Sequence, residues 1–284
     1  MLSQSALSML LDLLVSISLG QHTGKGSTLN LKEIVVGRCW DYQRVIGMEP
    51  GRPHNPVDCA KAWAVFTDAF AHKDPCETPP DAFSQFAHMM TVSLPKDGTM
   101  FWSGTKDVAL TISSLSHGSN FSLENTLLGY TVNGLTWCGK ETVNGDGINY
   151  DNCPSFDDPN CRSSVSSVFW TEASKTFAMQ ATGSVDVFLN GSDPRGAFRE
   201  NSFFATVELP NLNTALVNRV NIIVIHNLYG PVIDTCGTGT ILTLQSRIED
   251  RGMDWSCDDD PEETKIIQCL QYPHSYECEL GNQN

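Results

Sequence analysis

The sequence is short of basic side chains: 18 Lys and Arg stand against 33 Asp and Glu, a formal net charge of −15 over 284 residues. A surface of that sign repels phosphate, which excludes nucleic acid as a partner and disfavours docking on anionic lipid. Long apolar runs are missing too. Beyond the first twenty residues no segment suits a membrane helix, and the C-terminal CELGNQN lacks the hydrophobic tail of a lipid-anchor signal. The signatures G-x-S-x-G, H-E-x-x-H and the P-loop do not occur. CGTGTIL at 236–242 supplies two glycines of a dinucleotide fingerprint, but Leu242 stands where the third belongs, so a Rossmann site is not expected. The histidines form no close pair at ligand spacing. The acidic DDDPEE at 258–263 lacks the spaced pattern of a calcium loop and reads as a solvated loop, so no metal is expected.

What is present begins with cysteine. Ten occur, Cys39, Cys59, Cys76, Cys138, Cys153, Cys161, Cys236, Cys257, Cys269 and Cys278, with no C-x-x-C pair among them. An even set without that motif points to disulfides in an oxidising compartment rather than to zinc or a redox centre. ALSMLLDLLVSISLG near the N-terminus is too short to span a bilayer and ends in small residues. It reads as a signal peptide over residues 1–20 cleaved near Gly20, although Asp12 interrupts it and no Lys or Arg precedes it. Asn120 and Asn190 begin glycosylation sequons. A secreted, extracellular or luminal protein is expected.

Periodicity divides the rest. In DCAKAWAVFTDAFAHK, Cys59, Ala62, Trp63, Phe66 and Phe70 follow helical spacing, with Asp58 as N-cap. DAFSQFAHMM repeats the pattern after Asp81, and SSVSSVFWTEASKTFAMQA gives a third helix. After Gly183 the period shortens: SVDVFLN, ATVEL and VNIIVIHN read as strands, and the apolar run 222–225 suits a central or parallel one. ILTLQSRIED is again helical. The expectation is an α/β protein forming one catalytic unit over about residues 30–280. A helix-rich lobe (about 30–180) would precede a lobe with a small, mainly parallel sheet (about 183–280), with the active-site cleft between them.

Within this frame SLENTLLGY, residues 122–130, places Glu124 among apolar neighbours, where desolvating a carboxylate is costly. Its plainest explanation is a helix start capped by Ser122, with Glu124 in the first turn. Trp102 in MFWSGTKD and Trp170 in SVFWTEAS could be core aromatics, and Glu208 in NSFFATVELPNL a solvated strand residue. Taken together, and with VVGRCWDY, VFLNGS and YECEL, these stretches resemble the ADP-ribosyl cyclase/NAD glycohydrolase family. The family's T-L-E-D signature reads S-L-E-N here, departing at Ser122 and Asn125.

The resemblance implies five disulfides: Cys39–Cys59, Cys76–Cys161, Cys138–Cys153, Cys236–Cys257 and Cys269–Cys278. It implies cleavage of the nicotinamide–ribose bond of NAD⁺, cyclisation to cyclic ADP-ribose and some hydrolysis to ADP-ribose. The alternatives are a plain NAD glycohydrolase and a non-catalytic binding ectodomain. Glu208 would stabilise the oxocarbenium-like species, as carboxylates do in glycosidases. Glu124 would hold the nicotinamide amide and influence the product. Trp102 and Trp170 would stack on the rings of the dinucleotide. Ser103, Ser174, Phe203 and Phe204 match pocket-lining positions, and Lys106, placed one helical turn after Trp102, would meet phosphate oxygens or lie on the surface. An aromatic at Phe203 matches relatives that mostly cyclise. No cofactor is implied, since NAD⁺ is the substrate. NADP⁺, nicotinic acid by base exchange, and a homodimer are further expectations.

Overall fold

The computed structural model describes residues 26–48, 56–140, 145–275 and 278. The expected signal peptide lies outside them. Among the described residues no helix is long and apolar enough to cross a membrane.

The helices before the sheet form where the apolar spacing demands it. Helix α1 (Leu31–Arg44) and α2 (Cys59–Phe70) bury one stripe each, and Asp58 caps α2 by accepting from the N–H groups of Ala60 and Lys61 at 3.0 and 3.1 Å. Phe66 of α2 meets the rings of Phe70, Phe83, Phe86, Trp137 and Phe169 at centroid separations of 4.9–6.1 Å. This aromatic knot is the centre of the main core. Helix α3 (Ser84–Met89) starts later than expected. Asp81 does not cap it; its backbone carbonyl takes the Ser84 N–H in a turn at 3.0 Å.

Strand β1 (Thr99–Ser103) then runs through a stretch expected to be helical, and α4 (Lys106–Leu115) follows. Met100, Phe101 and Trp102 give this short strand apolar side chains for both faces, a pattern that periodicity alone could not assign. Helix α5 (Leu127–Val132) and α6 (Val165–Met179) precede β2 (Gly183–Asn190) and β3 (Val217–Ile225). Helix α7 (Gly239–Asp250), β4 (Asp254–Asp259) and α8 (Glu262–Gln271) complete the order. The acidic 258–263 segment is therefore the end of a strand and the start of a helix rather than a loop.

The four strands lie in the order β1-β2-β3-β4, all parallel. As the apolar run 222–225 predicted, β3 is central. Parallel strands need cover on both faces. Phe101, Val187, Ile222 and Val224 join the main core on one face, while Met100, Phe188 and Ile225 pack on the other against Val108 and Ala109 of α4 and Ile267 of α8. All ten cysteines are paired, in the five combinations expected.

Candidate active site

The C-terminal end of a parallel sheet is where open α/β proteins bind ligands. Strand β1 delivers two of the sequence candidates there. Successive residues face opposite ways: Trp102 leans toward the face covered by α4, and Ser103 shares the main-core face with Phe101. Gly104, at φ +76°, turns the chain off the strand, and a Cβ on it would come 3.1 Å from that of Asn190. Asn190, the second sequon residue, uses its own side-chain oxygen to accept the Ser192 N–H at 2.9 Å.

Glu124 stands on a 3-10 turn, Leu123–Asn125, beside the end of β1. The Trp102 indole N–H donates to its Oε2 at 3.2 Å. The turn is not the start of a helix capped by Ser122. Thr126 caps α5 instead, accepting the Gly129 N–H at 3.3 Å, while the Ser122 hydroxyl donates to Asn125 Oδ1 at 2.6 Å. The two residues that depart from the family signature thus bond to each other across the turn that presents Glu124. A Cβ on Gly129 would collide with the Leu123 carbonyl and the Glu124 backbone, so only glycine lets α5 close on this turn.

Glu208 arrives differently from the expected strand. It ends a π-helix, Phe204–Glu208, which Leu209–Asn211 continues as a short helical turn. ATVEL has the β-rich composition of a strand, but the segment joins no ladder of the sheet and packs against α6 instead. Single turns of π-helix recur at functional sites. Trp170 and Ser174 lie four residues apart on one face of α6. Trp170 is half-buried, edge-on to Phe169 at 5.0 Å. The Ser174 side chain lies beside the Glu208 carboxyl.

Glu208 and Glu124 are each only 8% exposed. Burial pushes the Glu208 carboxyl up to about 8, the Ser174 hydroxyl beside it pulls the other way, and the Glu124 charge raises it further. Two carboxyl groups in one water-poor site form an arrangement that stabilises positive charge.

Of three further sequence candidates, Phe204 and Lys106 lie elsewhere than expected. Phe204 is fully buried between Phe101 and Phe198, with ring centroids 5.8 and 6.3 Å away, so it belongs to the core and not to a pocket wall. Phe203 is half-buried at the mouth of the π-helix, 5.6 Å from the ring of Phe156. Lys106 is not a helical turn beyond Trp102; it opens α4 after the strand ends, with Nζ 5.9 Å from the Trp102 ring centroid and 3.4 Å from Asn133 Oδ1.

A model of the ADP-ribosyl cyclase family matches residues 28–278. The chain belongs to the ADP-ribosyl cyclase family. It is 31% identical over 259 residues to human ADP-ribosyl cyclase/cyclic ADP-ribose hydrolase 2, covering 90% of this chain and 78% of that protein. Identity to the Aplysia californica ADP-ribosyl cyclase/cyclic ADP-ribose hydrolase is 34% over 255 residues, covering 89% of this chain and 88% of the relative. The crystal structure of Aplysia cyclase with the substrate NGD and the product cGDPR aligns at a TM-score of 0.79 and 33% identity, covering 89% of this chain and 98% of that one. Porcine CD38 with a covalent intermediate, ribo-F-ribose-5'-phosphate, aligns at 0.75 and 39% identity, covering 84% and 99%.

Two neighbours of this cyclase-family site escaped sequence reading. Phe156 sits in a Pro- and Asp-rich loop, which reads as solvated. Arg199 reads as one more surface charge, yet its Nη2 donates to Ser103 Oγ at 2.8 Å. Its only signal was a place four residues before Phe203.

Proposed function

We propose that the protein cleaves the nicotinamide–ribosyl bond of NAD⁺ and cyclises the ADP-ribosyl intermediate to cyclic ADP-ribose, with some hydrolysis to ADP-ribose. The observation that carries this reading is the buried Glu208 carboxyl beside Ser174 and in the field of Glu124, with half-buried Trp102 bonded to Glu124 and half-buried Trp170 one turn before Ser174 on α6. The cationic nicotinamide ring favours the ionised form of Glu208, so substrate and carboxylate stabilise each other's charge. As the C1′–N bond breaks, its electron pair leaves with neutral nicotinamide, and Glu208 faces the positive charge left on the ribose. A ring nitrogen of the substrate's own adenine then attacks C1′ to close cyclic ADP-ribose, or water attacks and, after losing a proton, gives ADP-ribose. Glu124, fixed by the Trp102 indole, would hold the nicotinamide amide.

The reading needs no cofactor. The five disulfides suit an oxidising compartment, and we place the protein outside the cell or in a vesicle lumen. Incubation of the purified protein with NAD⁺, followed by chromatography, tests the proposal. Release of nicotinamide together with cyclic ADP-ribose is expected. ADP-ribose as almost the sole product would leave a glycohydrolase, and intact NAD⁺ would leave a binding ectodomain.

A further inference from the structure

NAD⁺ offers a site two opposed charges, a cationic nicotinamide riboside and an anionic pyrophosphate. Glu124 and Glu208 suit the first and repel the second, and the chain carries a formal −15 overall. Binding the dinucleotide therefore calls for a cation at one end of the site. Two stand near. Lys106 is exposed at the start of α4, turned toward Asn133. Arg199 reaches from the segment before the π-helix to the end of β1 and donates to Ser103 Oγ at 2.8 Å.

The position of Ser103 decides between them. Ser103 is buried and shares a sheet face with Phe101, whose ring packs on Phe177 of α6 and Phe204 of the π-helix at 5.4 and 5.8 Å. The guanidinium of Arg199 is thus carried to the face from which Ser174 and Glu208 also come. Asp193 lies 3.7 Å from Arg199 Nε, but its carboxylate is already forked onto Arg195, at 3.0 Å from Nε and 2.8 Å from Nη2. It orients Arg199 without taking its hydrogen bonds. The remaining guanidinium donors are set in the planar fork that fits phosphate oxygens better than an ammonium does.

We propose that Arg199 is the cation that anchors the pyrophosphate of NAD⁺ and selects dinucleotide over nicotinamide riboside, an inference that rests on the function proposed above. Steady-state kinetics of the wild type, Arg199→Gln and Arg199→Lys test it, with NAD⁺ and with nicotinamide riboside, which keeps the scissile bond but has no phosphate. Arg199→Gln should raise KM for NAD⁺ about ten- to a hundredfold, the range expected for a lost hydrogen bond to a charged group. Its kcat should change far less. The Lys variant should recover part of the affinity, and the KM for nicotinamide riboside should stay near the wild-type value. An unchanged KM for NAD⁺, or equal losses with both substrates as from a merely structural contact, would overturn the assignment. If the wild type does not cleave NAD⁺, the function falls on its own account. Calorimetric titration of ADP-ribose into wild type and Arg199→Gln then judges Arg199 separately: tighter binding by the wild type upholds it, and equal affinity rejects it.

Discussion

At Glu208 the fold holds a carboxyl where its charged form is disfavoured, and two consequences can be measured. The role proposed for Glu208 needs the ionised form, so in the free enzyme kcat/KM should rise with pH through about 8. Stability runs the opposite way. A carboxyl raised from 4.5 to about 8 keeps its proton in the folded state after the unfolded chain has lost it. The contribution is complete below 4.5 and is lost as pH climbs to about 8. Glu208→Gln, neutral throughout, should gain melting temperature relative to wild type over that window and lose about 10²–10³-fold or more in kcat. A well-folded variant with near-native turnover would remove Glu208 from the chemistry. Phe203 belongs at this scale too. On the proposed function, its bulky ring just before the π-helix would restrict water and favour adenine as the nucleophile. Phe203→Thr should raise the ADP-ribose fraction, read by chromatography, with little change in NAD⁺ consumption. Glu208, Glu124 and Trp102 were legible as motif residues. Which of Phe203 and Phe204 faces the core was not, because that depends on whether the segment is strand or helix.

Elements are where sequence reading succeeded and failed most clearly. Helices α2 and α6 were legible because their apolar residues keep one period for many residues, and strand β3 because its apolar run is continuous. The 3-10 turn of Glu124 and the π-helix of Glu208 were not. Each is one turn long, and each takes its shape from what packs on it: α5 on the first, α6 on the second. Gly129 makes this dependence testable. Its missing side chain lets α5 close on the Leu123 carbonyl, so Gly129→Ala must push the turn, and Glu124 with it, away from Trp102. We expect a cost of about 1–3 kcal/mol in stability, as for overpacking elsewhere, together with weaker substrate binding or altered products. Thermal melts paired with product analysis check this. A stable variant with native products would show that Glu124 does not depend on the close packing of α5.

For the whole molecule, the cross-links tie the segments that carry the site. Their pairing could not be read from spacing, since ten cysteines pair in many ways; it came from the family resemblance. Cys76–Cys161 joins the chain before α3 to the segment before α6, next to a backbone bridge between Glu77 and Ser163. It therefore fixes the start of the helix that bears Trp170 and Ser174. Cys269–Cys278 closes only the end of α8, distant in sequence from every proposed site residue. The separations are 85 and 9 residues. If a disulfide acts mainly by restricting the unfolded chain, the longer closure contributes about 4–5 kcal/mol and the shorter about 2–3. Replacing Cys76 and Cys161 together by Ala should lower the melting temperature more than replacing Cys269 and Cys278. Only the first pair should also reduce kcat/KM for NAD⁺ at a temperature where both variants stay folded. Equal losses of activity would mean that the start of α6 is positioned by its packing alone, with the disulfide adding stability and no geometry.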